Sequence, residues 1–158
     1  MKRDSLFFEF FRDLPRGFFE AIGRPETDAS QYELTAPELK ESSVRLDGVF
    51  VPRSRDIGPA YLWEAQWYAA ETVYANLISK IGRFLEHGDP TQDWVAVVLY
   101  PSRAIEQKCL APYDFLLDSK RLIRVFLDEL APAPGDSIEL GVLRLIAARD
   151  RKSTRLNS

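Results

Sequence analysis

Three consecutive stretches decide the fold: Ala60-Tyr61-Leu62-Trp63-Glu64-Ala65-Gln66-Trp67-Tyr68, then Ala69 to Glu86, then Trp94-Val95-Ala96-Val97-Val98-Leu99-Tyr100. The first is aromatic-rich and reads as a strand. In the second, Tyr74, Leu77, Ile78, Ile81 and Leu85 recur at i, i+3, i+4, i+7 and i+11, the apolar face of a helix. Asn76, Lys80 and Arg83 lie off that stripe, and His87-Gly88-Asp89-Pro90 stops the helix. The third is almost wholly apolar, as in a strand buried on both faces. A helix between two strands predicts a parallel crossover. The class is therefore α/β, with a mixed central sheet flanked by helices.

Working outward, residues 5–22 read as a helical region interrupted at Leu14-Pro15, with Pro15 suited to the first turn of a second helix. Residues 24–30 form a loop, Tyr32 to Leu39 an irregular strand, and Ser43 to Val51 a stronger one. Pro52 to Pro59 is a loop. Beyond Tyr100, Tyr113 to Leu117 reads as a short helix, Leu122 to Leu127 as a strand, and residues 131–135 as a linker. Ser137 to Ala148 reads as a helix capped by Asp136 or Ser137. Residues 1–150 make one domain. Residues 151–158 are polar, lack periodicity and carry no acid, and are expected to be a non-native or disordered tail on a C-terminally truncated domain.

Composition narrows the chemistry. The chain has 158 residues, 46% hydrophobic and 28% charged, with a formal net charge of −3. These values suit a soluble globular domain with its own core. No apolar run approaches the length of a membrane helix, so no membrane association is expected. No signal peptide is recognisable, which makes the cytoplasm the default location. The single cysteine, Cys109, allows no internal disulfide, and the single histidine, His87, rules out a Cys/His zinc cluster within one chain. His87 suits a solvated helix end, and Cys109 has no basic neighbour to make it a thiolate. There is no Gly-x-Ser-x-Gly, Gly-x-Gly-x-x-Gly or phosphate loop. The acidic balance counts slightly against nucleic acid, although net charge does not report local patches.

What remains are carboxylates in strands. Alternation puts Glu64 and Gln66 on one face of their strand, and Trp63, Ala65 and Trp67 on the other. A charged Glu64 among aromatics is costly to bury unless something binds it. In Arg45-Leu46-Asp47-Gly48-Val49-Phe50, an acid sits in a strand-like segment beside a glycine that permits close backbone approach. On adjacent strands, Asp47 and Glu64 would form an oxygen site for Mg²⁺ (or Mn²⁺), with Gln66 orienting water or phosphate. Two simpler readings stand beside this one. Asp47-Gly48 is a hairpin signal with Ser43–Leu46 and Val49–Val51 as arms, and Glu64 could pair with a cation such as Arg45.

At these residues the sequence resembles a known family. Asp47 followed by Glu64-Ala65-Gln66 resembles the PD-(D/E)XK nuclease signature, with glutamine where lysine is usual. More closely, the chain resembles the Rpn-type recombination-promoting nucleases, a family also described as transposases. The resembling stretches run in order: Asp4 to Phe8, Phe18 to Glu20, Glu38 to Lys40, Arg45 to Phe50, Glu64 to Gln66, and Trp94 to Pro101. The resemblance implies a restriction-endonuclease-like core and Mg²⁺-dependent DNA endonuclease activity linked to recombination or transposition. It implies Asp47 and Glu64 as metal-binding acids, Gln66 as the final motif position, and Glu20 as an added acid on the first helical region. Family members typically continue with further helical sequence. Glutamine carries no charge, so an inactive nuclease-fold module that binds DNA or a protein partner is the alternative expectation. Lys80 and Arg83 could meet DNA phosphate, although solvated helix charges are more common. Trp63, Trp67 and Tyr68 read as core packing in preference to base-stacking platforms. A homodimer through the aromatic N-terminus is a further expectation.

Overall fold

The computed structural model describes residues 3–37, 45–130 and 134–156. Its helices are α1 (Arg3–Asp13), α2 (Pro15–Ala21), α3 (Val73–His87), α4 (Asp114–Asp118) and α5 (Ile138–Leu156). Its strands are β1 (Tyr32–Thr35), β2 (Gly48–Pro52), β3 (Ala60–Ala65), β4 (Trp94–Tyr100) and β5 (Leu122–Phe126). They form one five-stranded sheet in the order β1-β2-β3-β4-β5. The pairs β1–β2 and β2–β3 are antiparallel, whereas β3–β4 and β4–β5 are parallel. The α/β class, the mixed sheet and the crossover through α3 are as the sequence predicts.

Strand alternation divides the core into two layers. Tyr61, Trp63, Val95, Val97 and Leu99 face α1, α2 and α5, among Phe7, Phe11, Phe18, Phe19 and Leu143. Ala60, Leu62, Ala96, Val98 and Tyr100 face the other way, under Tyr74, Leu77 and Ile81 of α3. Trp63 is fully buried, with the Phe11 ring edge-on at 5.3 Å. Each such buried side chain contributes roughly 1.5–3 kcal/mol of transfer free energy.

Local chemistry sets the element ends. Pro15 opens α2, where its missing N–H has no helical partner to lose. Gly23, at φ +78°, closes it, with the Arg24 N–H bonded back to the Phe19 carbonyl at 2.8 Å. The helix after β3 starts at Val73, later than the Ala69 suggested by periodicity. Glu71 accepts hydrogen bonds from the Lys108 and Cys109 N–H groups at 3.0 and 3.3 Å, which ties the approach to a distant loop. The buried Gln107 amide oxygen then caps the Tyr74 N–H at 3.0 Å.

One alternative reading is corrected and one helix is extended. Asp47-Gly48 is not a hairpin turn: Val49–Val51 pair with Glu33–Thr35, and Val49 and Phe50 also pair with Leu62 and Tyr61. Sheet pairing on both sides outweighs the local turn signal. In the segment 151–156, α5 continues to Leu156, beyond the Ala148 that the sequence suggests. No Gly or Pro interrupts the chain from Val142 to Leu156, and its Arg, Lys and Leu residues are good helix formers. The Glu38-Leu39-Lys40 stretch, the beginning of the expected strand at Ser43 and most of the 131–135 linker lie outside the described residues.

Candidate metal centre

Asp47 and Glu64 meet because of register. Gly48 pairs with Trp63 across the β2–β3 ladder, so one further step along it sets Asp47 opposite Glu64. Asp47 is fixed there by the Ala65 N–H, which donates to its Oδ2 at 2.8 Å. Gly48 makes the approach possible: a Cβ at that position would stand 2.5 Å from the Trp63 indole. The glycine that resembled a turn residue is instead a seat for a tryptophan.

Glu64 shares the even parity of Ala60 and Leu62, and so points toward α3. There the Lys80 ammonium donates to its Oε1 at 2.6 Å, with both side chains largely covered. Burial raises the Glu64 carboxyl, and the neighbouring Asp47 raises it further, by charge and by hydrogen bonding. Lys80 pulls in the opposite direction without cancelling them, and the result is about 8.

Around this group lies a cleft of about 280 Å³, lined also by Gln66, Tyr68, Thr72 and Asn76. Gln66 stands one residue beyond the end of β3, where its N–H donates to the Leu99 carbonyl at 2.9 Å. Its side-chain amide donates to the Tyr68 carbonyl. Trp63 and Trp67 pack on the opposite face, with Trp67 5.3 Å from the Phe7 ring. Tyr68, past the strand end and freed from its alternation, is 72% exposed at the cleft rim.

The expected residues thus separate into two groups. Asp47, Glu64 and Gln66 come together. Glu20 does not join them: it lies on α2, across the sheet, where the Ser137 hydroxyl donates to it at 2.6 Å and Arg16 lies at 3.5 Å. Ser137 in turn accepts from the Leu140 N–H at 3.1 Å, so Glu20 steadies the start of α5. Lys80, expected on the open face of α3, turns into the cleft. Arg83 does not line the cleft. The sequence offered no sign of the Lys80–Glu64 pair, since 16 residues separate the two.

The donor set fits a hard divalent cation. Two carboxylates are held side by side, one kept largely protonated by burial and further by the charge of the other, and a cation would offset both costs. Among the described residues no group of three or more His, Cys, Asp and Glu is placed to hold a metal. Remaining ligand positions would fall to water and phosphate oxygens, which Mg²⁺ accepts readily.

The chain belongs to the family described as Protein of unknown function (DUF2887), whose sequence model matches residues 3–157. No curated protein and no solved structure matches it. Among the described residues, no helix is long and apolar enough to cross a membrane.

Proposed function

We propose that this DUF2887 chain is a metal-dependent DNA endonuclease of the PD-(D/E)XK type, with a restriction-endonuclease-like core, acting in the cytoplasm in recombination or transposition. One observation carries the reading: Asp47 and Glu64 are held together at the end of β3 with the Lys80 ammonium bonded to Glu64. The resemblance of Asp47 and Glu64-Ala65-Gln66 to the nuclease signature supports it.

Asp47 and Glu64 would hold Mg²⁺ or Mn²⁺. When bound, such an ion supplies a Lewis acid for a phosphoryl oxygen and lowers the pKa of a water nucleophile. Asp47 keeps its orientation through the Ala65 N–H. Lys80 brings to the cleft the positive charge that Gln66 lacks, reaching it from α3 instead of from β3. That cation orients the attacking water and steadies the charge that builds on the phosphate.

Supercoiled plasmid with Mg²⁺ or Mn²⁺ is the test: nicking or linearisation by the parent, and none by Asp47→Ala or Glu64→Ala. If both variants cut like the parent, the assignment of the centre is wrong. A second reading, an inactive nuclease-fold module that binds DNA or a protein, draws on the uncharged Gln66, whose amide is engaged by its own loop. Calorimetry separates the two, because absence of Mn²⁺ binding at millimolar metal favours the inactive module.

A further inference from the structure

Asp47 borders two clefts. One is the metal centre, with Tyr68 on its rim. The other, about 500 Å³, runs beside α1 and is lined by Ser5, Phe8, Glu9, Arg12, Arg45 and Asp47 itself. Asp47 is thus common to a cleft with an exposed tyrosine on its rim and to a groove carrying two exposed arginines. Arg12 already bonds the exposed Asp13 at 3.1 Å, a surface pair that a phosphate can displace at little cost. Glu9 on the same helix keeps the groove from being uniformly basic.

We infer that the substrate is single-stranded: an unpaired base stacks on Tyr68 while the strand's phosphates continue past Asp47 toward Arg45 and Arg12. This rests on the nuclease reading for the position of the cut, but not for the binding itself. An aromatic platform beside a cationic track is the arrangement by which proteins hold unpaired strands, since every base has a face to stack and every linkage carries a charge. In duplex DNA the base faces are covered by their neighbours, and Tyr68 has nothing to stack on. Trp63 and Trp67 cannot take this role, because both pack against the helices on the other face of the sheet.

The test uses the full chain with Mn²⁺ and a fluorescein-labelled 20-nucleotide strand, alone or annealed to its complement, read by anisotropy and by cleavage. The single strand should bind and be cut at least tenfold better than the duplex. Tyr68→Ala should lose about tenfold in single-strand affinity while Tyr68→Phe keeps it. Arg12→Ala and Arg45→Ala should each flatten the slope of log K against log salt by about 0.7. Equal handling of single strand and duplex, or parent-like affinity in Tyr68→Ala, overturns the inference and leaves the nuclease reading standing. Single-strand preference without any cleavage keeps the inference and removes the nuclease reading. Binding to neither form overturns both.

Discussion

The Lys80 Nζ lies 2.6 Å from the Glu64 Oε1, joining the middle of α3 to the end of β3. Through this contact a charge from a helix enters the cleft that Asp47, Glu64 and Gln66 also line. On the proposed nuclease reading, Lys80→Ala should lower plasmid nicking by about 10²-fold, within the range for losing one electrostatic or proton-transfer group. Adding Gln66→Lys to that variant should recover part of the loss, because the new ammonium enters the same cleft. Parent-like nicking by Lys80→Ala would remove the lysine from the chemistry.

Glu64 also predicts how stability depends on pH. Its folded-state value of about 8 lies above the ordinary 4.5, so the folded protein holds this proton more tightly than the unfolded chain does. That contribution is complete at pH below the ordinary value and is lost as pH rises through about 8. In metal-free buffer, the parent should lose stability relative to Glu64→Gln between pH 5 and pH 8, by on the order of a few kcal/mol at most. Urea unfolding of both proteins across that range gives the measurement, and parallel curves would refute the assignment.

Gly48→Ala should destabilise the protein. The added methyl would sit 2.5 Å from a fully buried indole, so strand or ring must shift. Overpacking of this kind costs roughly 1–3 kcal/mol. Thermal unfolding reads the loss. On the proposed metal reading, Mn²⁺ affinity should fall as well, because the shift would carry Asp47 with it.

Glu20→Ala separates stability from activity. Glu20 accepts a hydrogen bond from the Ser137 hydroxyl and lies across the sheet from the centre. Its replacement should cost about 1 kcal/mol in denaturant unfolding, the value of one such bond, and leave nicking by the folded protein unchanged. A collapse of activity at full stability would return Glu20 to the site.

The scaffold was legible because it follows from local periodicity. The strand stretch at Ala60, the apolar stripe of α3 and the valines of β4 each declare a buried face, and a helix between two strands leaves little choice but a parallel crossover. The stop at His87-Gly88 and the break at Pro15 are likewise local backbone chemistry. Strand parity also placed Glu64 and Gln66 on one face, and the cleft has both in its lining.

What lay beyond the sequence was which side chains meet across elements. Asp47-Gly48 supports a turn or a strand equally well by itself, and only pairing with β1 and β3 selects the strand. Glu20 looked available until α2 packed on the face of the sheet away from Glu64. Lys80 looked like a solvated helix charge until the packing of α3 aimed it at a buried carboxylate. Local propensity is set by a residue and its near neighbours, whereas the meeting of Asp47, Glu64 and Lys80 depends on sheet register and on which face a helix covers. The sequence by itself determined the elements and the parity of Glu64. The tertiary structure decided which acids share a site and where its positive charge comes from.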